Sequence, residues 1–381
     1  MTPRTVFAAV TTPRATYLDW NATAPLRAEV ADAIAESLRR CGNPSSVHRW
    51  GRAARQALEA ARRDVAALCG AAPDAVVFTS GGTEANQLAL KGLPERRLIV
   101  SAIEHDSVRL ARPDAAVLPA LPDGRADLVA LDAWLAAAAR PALVSLMLAN
   151  NETGAIQPVA EAARIAHAHG ALLHCDAVQA AGKLPLDFRR SGADLLTLSA
   201  HKIGGPQGVG ALVASPDLPL APLWSGGGQE RGRRAGTENL PGIIGFGAAA
   251  RCALAGIDAY AKLAVLRDAA ERRLLAIAPG ARSFAATAPR LANTLCIAMP
   301  SIPAATQVMA LDLAGVMVSA GSACSSGKLR RSHVLEAMGV APDDSDCAIR
   351  VSLGWSSTER DIDHLVEAWG ALYARRRASA A

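Results

Sequence analysis

The sequence predicts an α/β fold, a largely parallel sheet between helices, followed by a smaller α+β domain. Two patterns carry that expectation. From about residue 28 to residue 260, helix-length stretches alternate with short apolar runs, and such alternation builds parallel sheets with helical cover. After about residue 255 the order changes to a helix, an apolar run, another helix and strand, and a final helix from about Asp361. The expected division is a large domain over 16–255 and a small domain over 256–381 that also takes in residues 1–15.

The helical stretches of the first region include AEVADAIAESLRR and RAARQALEAARRDVAALCG, and its strand candidates are AVVFTS, RLIVSA, ALVSLMLA, ALLHCDAV and DLLTLSA. Those runs end in SGGTEAN, SAIEHDS, NNETG, CDAVQ and SAHKIGG. Ligands of parallel sheets bind beyond the carboxyl ends of the strands, so the polar chemistry converges on one rim. In the second region KLAVLRDAAERRLLAIA reads as a helix and NTLCIAMP as a strand. The Ala-rich segments read as helices, and no internal repeat or coiled coil is present.

With 381 residues, 51% hydrophobic and 20% charged, the chain has the composition of a globular enzyme. Its net charge of +5 comes mostly from dispersed arginines, which gives little support to nucleic-acid binding. Seven scattered cysteines without a CxxC pair indicate neither a disulfide framework nor a zinc ribbon, and suggest a reducing compartment. No apolar run reaches the roughly 18 residues of a membrane span. The start MTPRTVFAAVTTPRAT loosely resembles a transit peptide, but it leads at once into YLDWNATAPLR, so a cytoplasmic chain is expected.

Several motifs carry chemistry. In VVFTSGGTEANQLAL a strand runs through Gly81, Gly82 and Thr83 into a helix; the free amides there suit a phosphate, although an ordinary strand-to-helix turn has the same sequence pattern. In ADLLTLSAHKIGGPQGVGALVA, Lys202 follows a buried strand, which is unusual for a solvated lysine and suits bonding to an aldehyde. In ALLHCDAVQ, Asp176 ends another strand and is either a helix cap or the partner of a protonated ring nitrogen. His167, His169, His174, Cys175 and Asp176 also invite a metal reading, but the first two histidines point to different helix faces, so no metal is expected. AGSACSSG sets Cys324 among small residues without core-forming neighbours, as in an accessible loop. A phosphate turn, a lysine and a strand-end aspartate together are what pyridoxal 5'-phosphate requires.

The stretches YLDWNATAP, NPSSVHRWGR, SGGTEANQ, EHDSV, NNETG, HCDAVQ, SAHKIGGPQGVG, RRAGTEN, SAGSACSSG and IRVSLGW run in order from Tyr17 to about Trp355. Through them the chain resembles the cysteine desulfurases of the NifS/IscS class, fold type I pyridoxal-phosphate enzymes of the class-V aminotransferase family. The resemblance implies a mostly parallel seven-stranded sheet in the large domain and a small domain carrying the Cys324 loop. It implies that Lys202 bonds the cofactor aldehyde, Asp176 faces the ring nitrogen, Gln179 the ring oxygen, and His105 stacks on the ring. Gly82, Thr83, Ser199 and His201 would hold the phosphate, with Thr237 supplied across a homodimer interface. Asn151 would lie beside ring and substrate, and Arg350 would clamp the carboxylate of L-cysteine. Cys324 would take sulfur as a persulfide and pass it to an acceptor, an iron–sulfur scaffold or sulfur carrier, for iron–sulfur cluster, cofactor or tRNA biosynthesis. Lys328, Arg330 and Arg331 would supply positive field to the Cys324 thiolate, with His105 a candidate for its proton. A selenocysteine lyase, or a related aminotransferase or lyase, is the alternative. The chain departs from the class at Trp20, Ala235 and Trp355, and in LRRSHVL after the cysteine.

Overall fold

The computed structural model describes residues 15–138, 141–321 and 331–380. After β1 (Thr16–Tyr17), helices α1 (Ala28–Leu38) and α2 (Arg49–Leu68) lead into β2 (Val76–Thr79), α3 (Gly82–Lys91), β3 (Arg97–Ser101), α4 (Asp106–Arg109) and β4 (Ala116–Leu118). The chain continues through α5 (Leu128–Ala136), β5 (Ala142–Ser145), α6 (Val159–Ala168), β6 (Leu172–Asp176), α7 (Phe188–Ser191), β7 (Leu195–Ser199), β8 (Gly210–Ala214) and α8 (Leu240–Ala255). Strands β2 to β8 make one seven-stranded sheet in the order β2-β8-β7-β6-β5-β3-β4. β8 runs antiparallel to both its neighbours, and the remaining pairs are parallel.

The apolar runs are continuous because this sheet is buried on both faces. Val76, Phe78, Ile99, Leu196 and Leu198 point into a core with Leu58 and Val65 of α2 and Phe246 of α8. Their alternates Val77, Leu98, Val100 and Leu195 point the other way, onto Leu88 of α3 and Leu220. Each strand thus distributes its side chains between two cores, as a period of two requires.

The second region holds α9 (Ile257–Ala261), α10 (Leu263–Ile277), β9 (Arg282–Ser283), β10 (Thr294–Ala298), α11 (Ala304–Leu313), β11 (Val316–Met317), β12 (Ser319–Ala320), α12 (His333–Ala337), α13 (Pro342–Ser345), β13 (Ala348–Ser352) and α14 (Glu359–Ala380). Its antiparallel sheet, β12-β13-β10-β9, has its own core around Ile297, Val351, Leu365 and Trp369.

Residues 16–24 stitch the two regions together. β1 pairs with β11, Asp19 bridges to Ser352, and the Ala24 amide donates to the His201 carbonyl at 2.9 Å. Trp20 and Trp355, two of the departures from the class, are one cluster here: their rings meet edge-on at 4.6 Å, and the Arg27 guanidinium lies 3.6 Å from the Trp355 centroid. Trp20 lies so close to Gly354 that a Cβ there would stand 2.0 Å from its ring. Glycine is therefore obligatory beside this tryptophan. Among the described residues no single helix is long and apolar enough to cross a membrane.

Candidate active site

A cavity of about 390 Å3 opens at the carboxyl ends of β2, β3, β5, β6 and β7, where β12 and β13 of the second sheet close over it. It is lined by Gly82, Thr83, His105, Asn151, Asp176, Gln179, Ser199, His201, Lys202 and Arg350, together with Asp19, Asn21, Asn86 and Ser107. The rim expected from the sequence therefore exists, and distant motifs meet on it. Thr237 does not reach it; that residue faces a separate space of about 70 Å3 beside Ser80 and Arg234. Cys324, Lys328 and Arg330 lie outside the described residues. A second cavity, of about 250 Å3, sits between α1, α2 and α8, and none of the expected site residues touches it.

Each side chain is fixed by its element. Lys202 ends a single 3-10 turn directly after β7, and its Nζ donates to the main-chain oxygens of Asn21 and Ala22 at 2.7 Å each. Gly82 opens α3, and the first helical bond is made only by the Ala85 amide, to Gly81. The preceding amides and the helix dipole are thereby left to an anion. A Cβ on Gly82 would stand 3.1 Å from Val178 and 3.5 Å from Ser199, so glycine lets the backbone come close here. His201, beside it, shares Nδ1 with the Thr23 hydroxyl at 3.2 Å; burial, reinforced by Lys202, lowers its pKa to about 4, so the ring is neutral near pH 7.

Asp176 is 6% exposed. Its Oδ2 accepts from Asn86 Nδ2 at 2.8 Å and its Oδ1 from the Val178 amide at 2.9 Å. Two donors hold the carboxylate in one orientation at the strand end. Asn86 in turn donates to the Ser107 hydroxyl, and the Ser107 amide donates to His105 Nδ1 at 3.1 Å. An accepting Nδ1 leaves the ring proton on Nε2. Glu104, next to His105, is fully buried; desolvation and then the Asp176 charge push its pKa well above the ordinary carboxyl value.

Arg350 comes from the middle of β13 and is 4% exposed. Nη2 donates to Asp19 Oδ1 at 2.6 Å and Nη1 to the Asn151 carbonyl at 3.2 Å. Its Nε is buried and has no hydrogen-bond partner among the described residues. The ordinary alternative for this residue, a surface ion pair, is overturned by that burial. Arg331, expected to supply field to Cys324, forms a two-pronged pair with Asp346 at 2.8 Å on each arm. His167 and His169 go to different carboxylates, Asp194 and Asp132.

Sequence reading missed Asn21. Its main chain receives both Lys202 and Gln179 Nε2, while its side chain joins Asn151, Thr294, Lys183 and Asn293. It stands in YLDWNATAP, and only its partners, distant in sequence, reveal what it does.

Residues 16–365 match the Aminotransferase class-V family. The chain belongs to that family. Among the relatives of this class-V chain, a cysteine desulfurase of Cereibacter sphaeroides is 47% identical, over 92% of this chain and 94% of the relative. An IscS-like cysteine desulfurase of Mycobacterium tuberculosis is 40% identical, over 96% and 98%. A solved NifS-like protein from Rickettsia africae superposes with a TM-score of 0.88 at 35% identity, covering 95% of this class-V chain and all (100%) of that one.

Proposed function

We propose that this class-V chain is a pyridoxal 5'-phosphate-dependent cysteine desulfurase that moves sulfur from L-cysteine to Cys324 and then to an acceptor protein, acting as a cytoplasmic homodimer. The observation that carries the reading is one cavity containing the Lys202 amine, the Asp176 carboxylate and the buried Arg350 guanidinium. Its chemistry fits the cofactor: amides at the start of α3 for a phosphate, an anchored carboxylate for a ring nitrogen, and an arginine with an unmet Nε for a carboxylate. The volume falls within the roughly 300–1,000 Å3 of small-molecule sites. The division into a large domain over 16–255 and a small one over the rest stands with this proposal, because the cavity would then lie between them.

In this assignment Lys202 holds the aldehyde, Asp176 the ring nitrogen, Gln179 the ring oxygen and His105 the ring face. Gly82, Thr83, Ser199 and His201 hold the phosphate, with Thr237 of the partner subunit. Pyridoxal phosphate, when bound, supplies an aldehyde and an electron-poor ring that takes up the electrons of a broken Cα–H bond. Lys202 carries the proton at substrate Cα, and Arg350 and Asn151 orient the substrate carboxylate and amine side. Cys324 accepts sulfur as a neutral atom on its thiolate; the carbon keeps the C–S electron pair and gains a proton. Alanine therefore forms with no outside oxidant.

Purified protein given L-cysteine and dithiothreitol should release alanine and sulfide in equal amounts, and Cys324→Ala should release neither. Alanine production that survives the substitution would overturn the persulfide step in favour of a lyase. Formation of a keto acid would favour an aminotransferase.

A further inference from the structure

Lys183 is buried, and among the described residues no carboxylate is hydrogen-bonded to it. It lies in the turns after β6, is 3% exposed, and donates from Nζ to Asn21 Oδ1 and to Gln179 Oε1, each at 2.7 Å. Both bonds end on amide oxygens. Burial, with the positive charges of Lys202 and Arg350 nearby, holds its pKa well below that of an ordinary lysine. Charged or neutral, the amine has N–H groups enough for both acceptors.

The placement has a logical consequence for the neighbouring amides. A side-chain amide can present either an acceptor or donors to a neighbour, and an N–H donor settles which. Gln179 must turn Oε1 towards Lys183, which puts Nε2 on the opposite side. There one N–H goes to the Asn21 carbonyl at 2.9 Å, and Gln179 lines the cavity. Asn21 must likewise turn Oδ1 to Lys183, which sends Nδ2 to the Asn151 carbonyl at 3.1 Å and the Thr294 hydroxyl at 2.9 Å. That orientation holds the Asn21 carbonyl where Lys202 meets it.

We propose that Lys183 is a positioning residue: it locks the Gln179 amide with its donor side to the cavity, so that Gln179 gives rather than receives a hydrogen bond at the ring oxygen of the cofactor. The inference rests on reading the cavity as the pyridoxal-phosphate site. No part of it requires Lys183 to touch substrate or cofactor.

The test is the visible absorption band of the Lys202-bound cofactor, titrated against pH in the holoenzyme. A hydrogen bond donated to the ring oxygen favours the deprotonated, more negative form, so its loss raises the midpoint. Lys183→Met should raise it by about one pH unit, the size of a charge-assisted hydrogen bond. Gln179→Met should do the same, and the double variant should shift no further than either single one. If Lys183→Met does not fold, Lys183→Gln carries the test. It offers an acceptor as well as donors and frees the Gln179 amide to turn, so a smaller rise is expected. A midpoint that moves in Gln179→Met but not in the Lys183 variants, or additive shifts in the double variant, would overturn the inference alone. A wild-type protein that takes up no pyridoxal phosphate would overturn the reading of the cavity itself.

Discussion

Replacing Glu230 with alanine should destabilise the protein by about 3 kcal/mol. Glu230 and Arg62 form an ion pair whose side chains are only 2% and 4% exposed. The carboxylate takes Arg62 Nη1 at 2.7 Å and Nη2 at 2.8 Å as a fork, and the Phe78 amide at 2.8 Å. Alanine would strand the guanidinium against the Phe78 ring, with the half-buried Glu59 its remaining acid at 3.2 Å. Removing one partner of a buried pair costs about 3–5 kcal/mol. Part of that is offset, because Glu230 and Arg231 hold positive φ angles of 46° and 58°, a region that costs a non-glycine residue roughly 1–2 kcal/mol. Once its anchor is gone the loop can relax. Urea unfolding of the wild type and Glu230→Ala, followed by tryptophan fluorescence and far-UV circular dichroism, measures the difference. The double variant Arg62→Met with Glu230→Met removes both charges and should recover most of the loss. A loss below about 1 kcal/mol in Glu230→Ala would refute the claim that this pair anchors the loop leading to Thr237.

Two further outcomes follow from the geometry. Arg350→Lys replaces a planar fork by a point charge and should raise KM for L-cysteine about ten- to a hundredfold, the equivalent of about 1.5–3 kcal/mol; an unchanged KM in steady-state kinetics would remove Arg350 from carboxylate binding. His174 is buried between the Ser145 and Thr197 hydroxyls at 2.9 and 3.0 Å, and burial lowers its pKa from 6.5 to about 3. The unfolded imidazole takes a proton that the folded one refuses. His174 therefore costs no stability above pH 6.5, and the cost grows by up to about 1.4 kcal/mol per unit as the pH falls from there towards about 3. His174→Asn should flatten that part of the acid-unfolding curve, and an equally steep curve would assign it to other groups.

The strands with two buried faces were legible because their apolar runs are unbroken, and β6 and β7 delivered Asp176 and Lys202 to the rim as expected. β4 was not. It is a three-residue edge strand with Val117 64% exposed, too short to leave a pattern. Arg331 looked available in the sequence because nothing near it in the chain announces Asp346, fifteen residues on, as its partner. Lys183 and Asn21 escaped notice for the same reason: hydrogen bonds between positions 162 apart have no signature in local periodicity. The tryptophan pair was visible as two separate departures, and only packing shows that each accommodates the other.

The stitching of residues 16–24 also orders events in time. The Asn21 amide is held by the Ser352 hydroxyl, 331 positions later in the chain, and the Asp19 carboxylate by Arg350. Neither partner exists until the whole seven-stranded sheet has been made. The seven-stranded sheet has all its strands by Ala214 and can gather while synthesis continues, since domains generally form as units from the amino-terminal end. The cavity beside it remains without its Arg350 wall until β13 has emerged, so uptake of a small molecule that needs both walls waits for that strand. A chain cut off before Ala348 would keep the scaffold and never acquire the pocket.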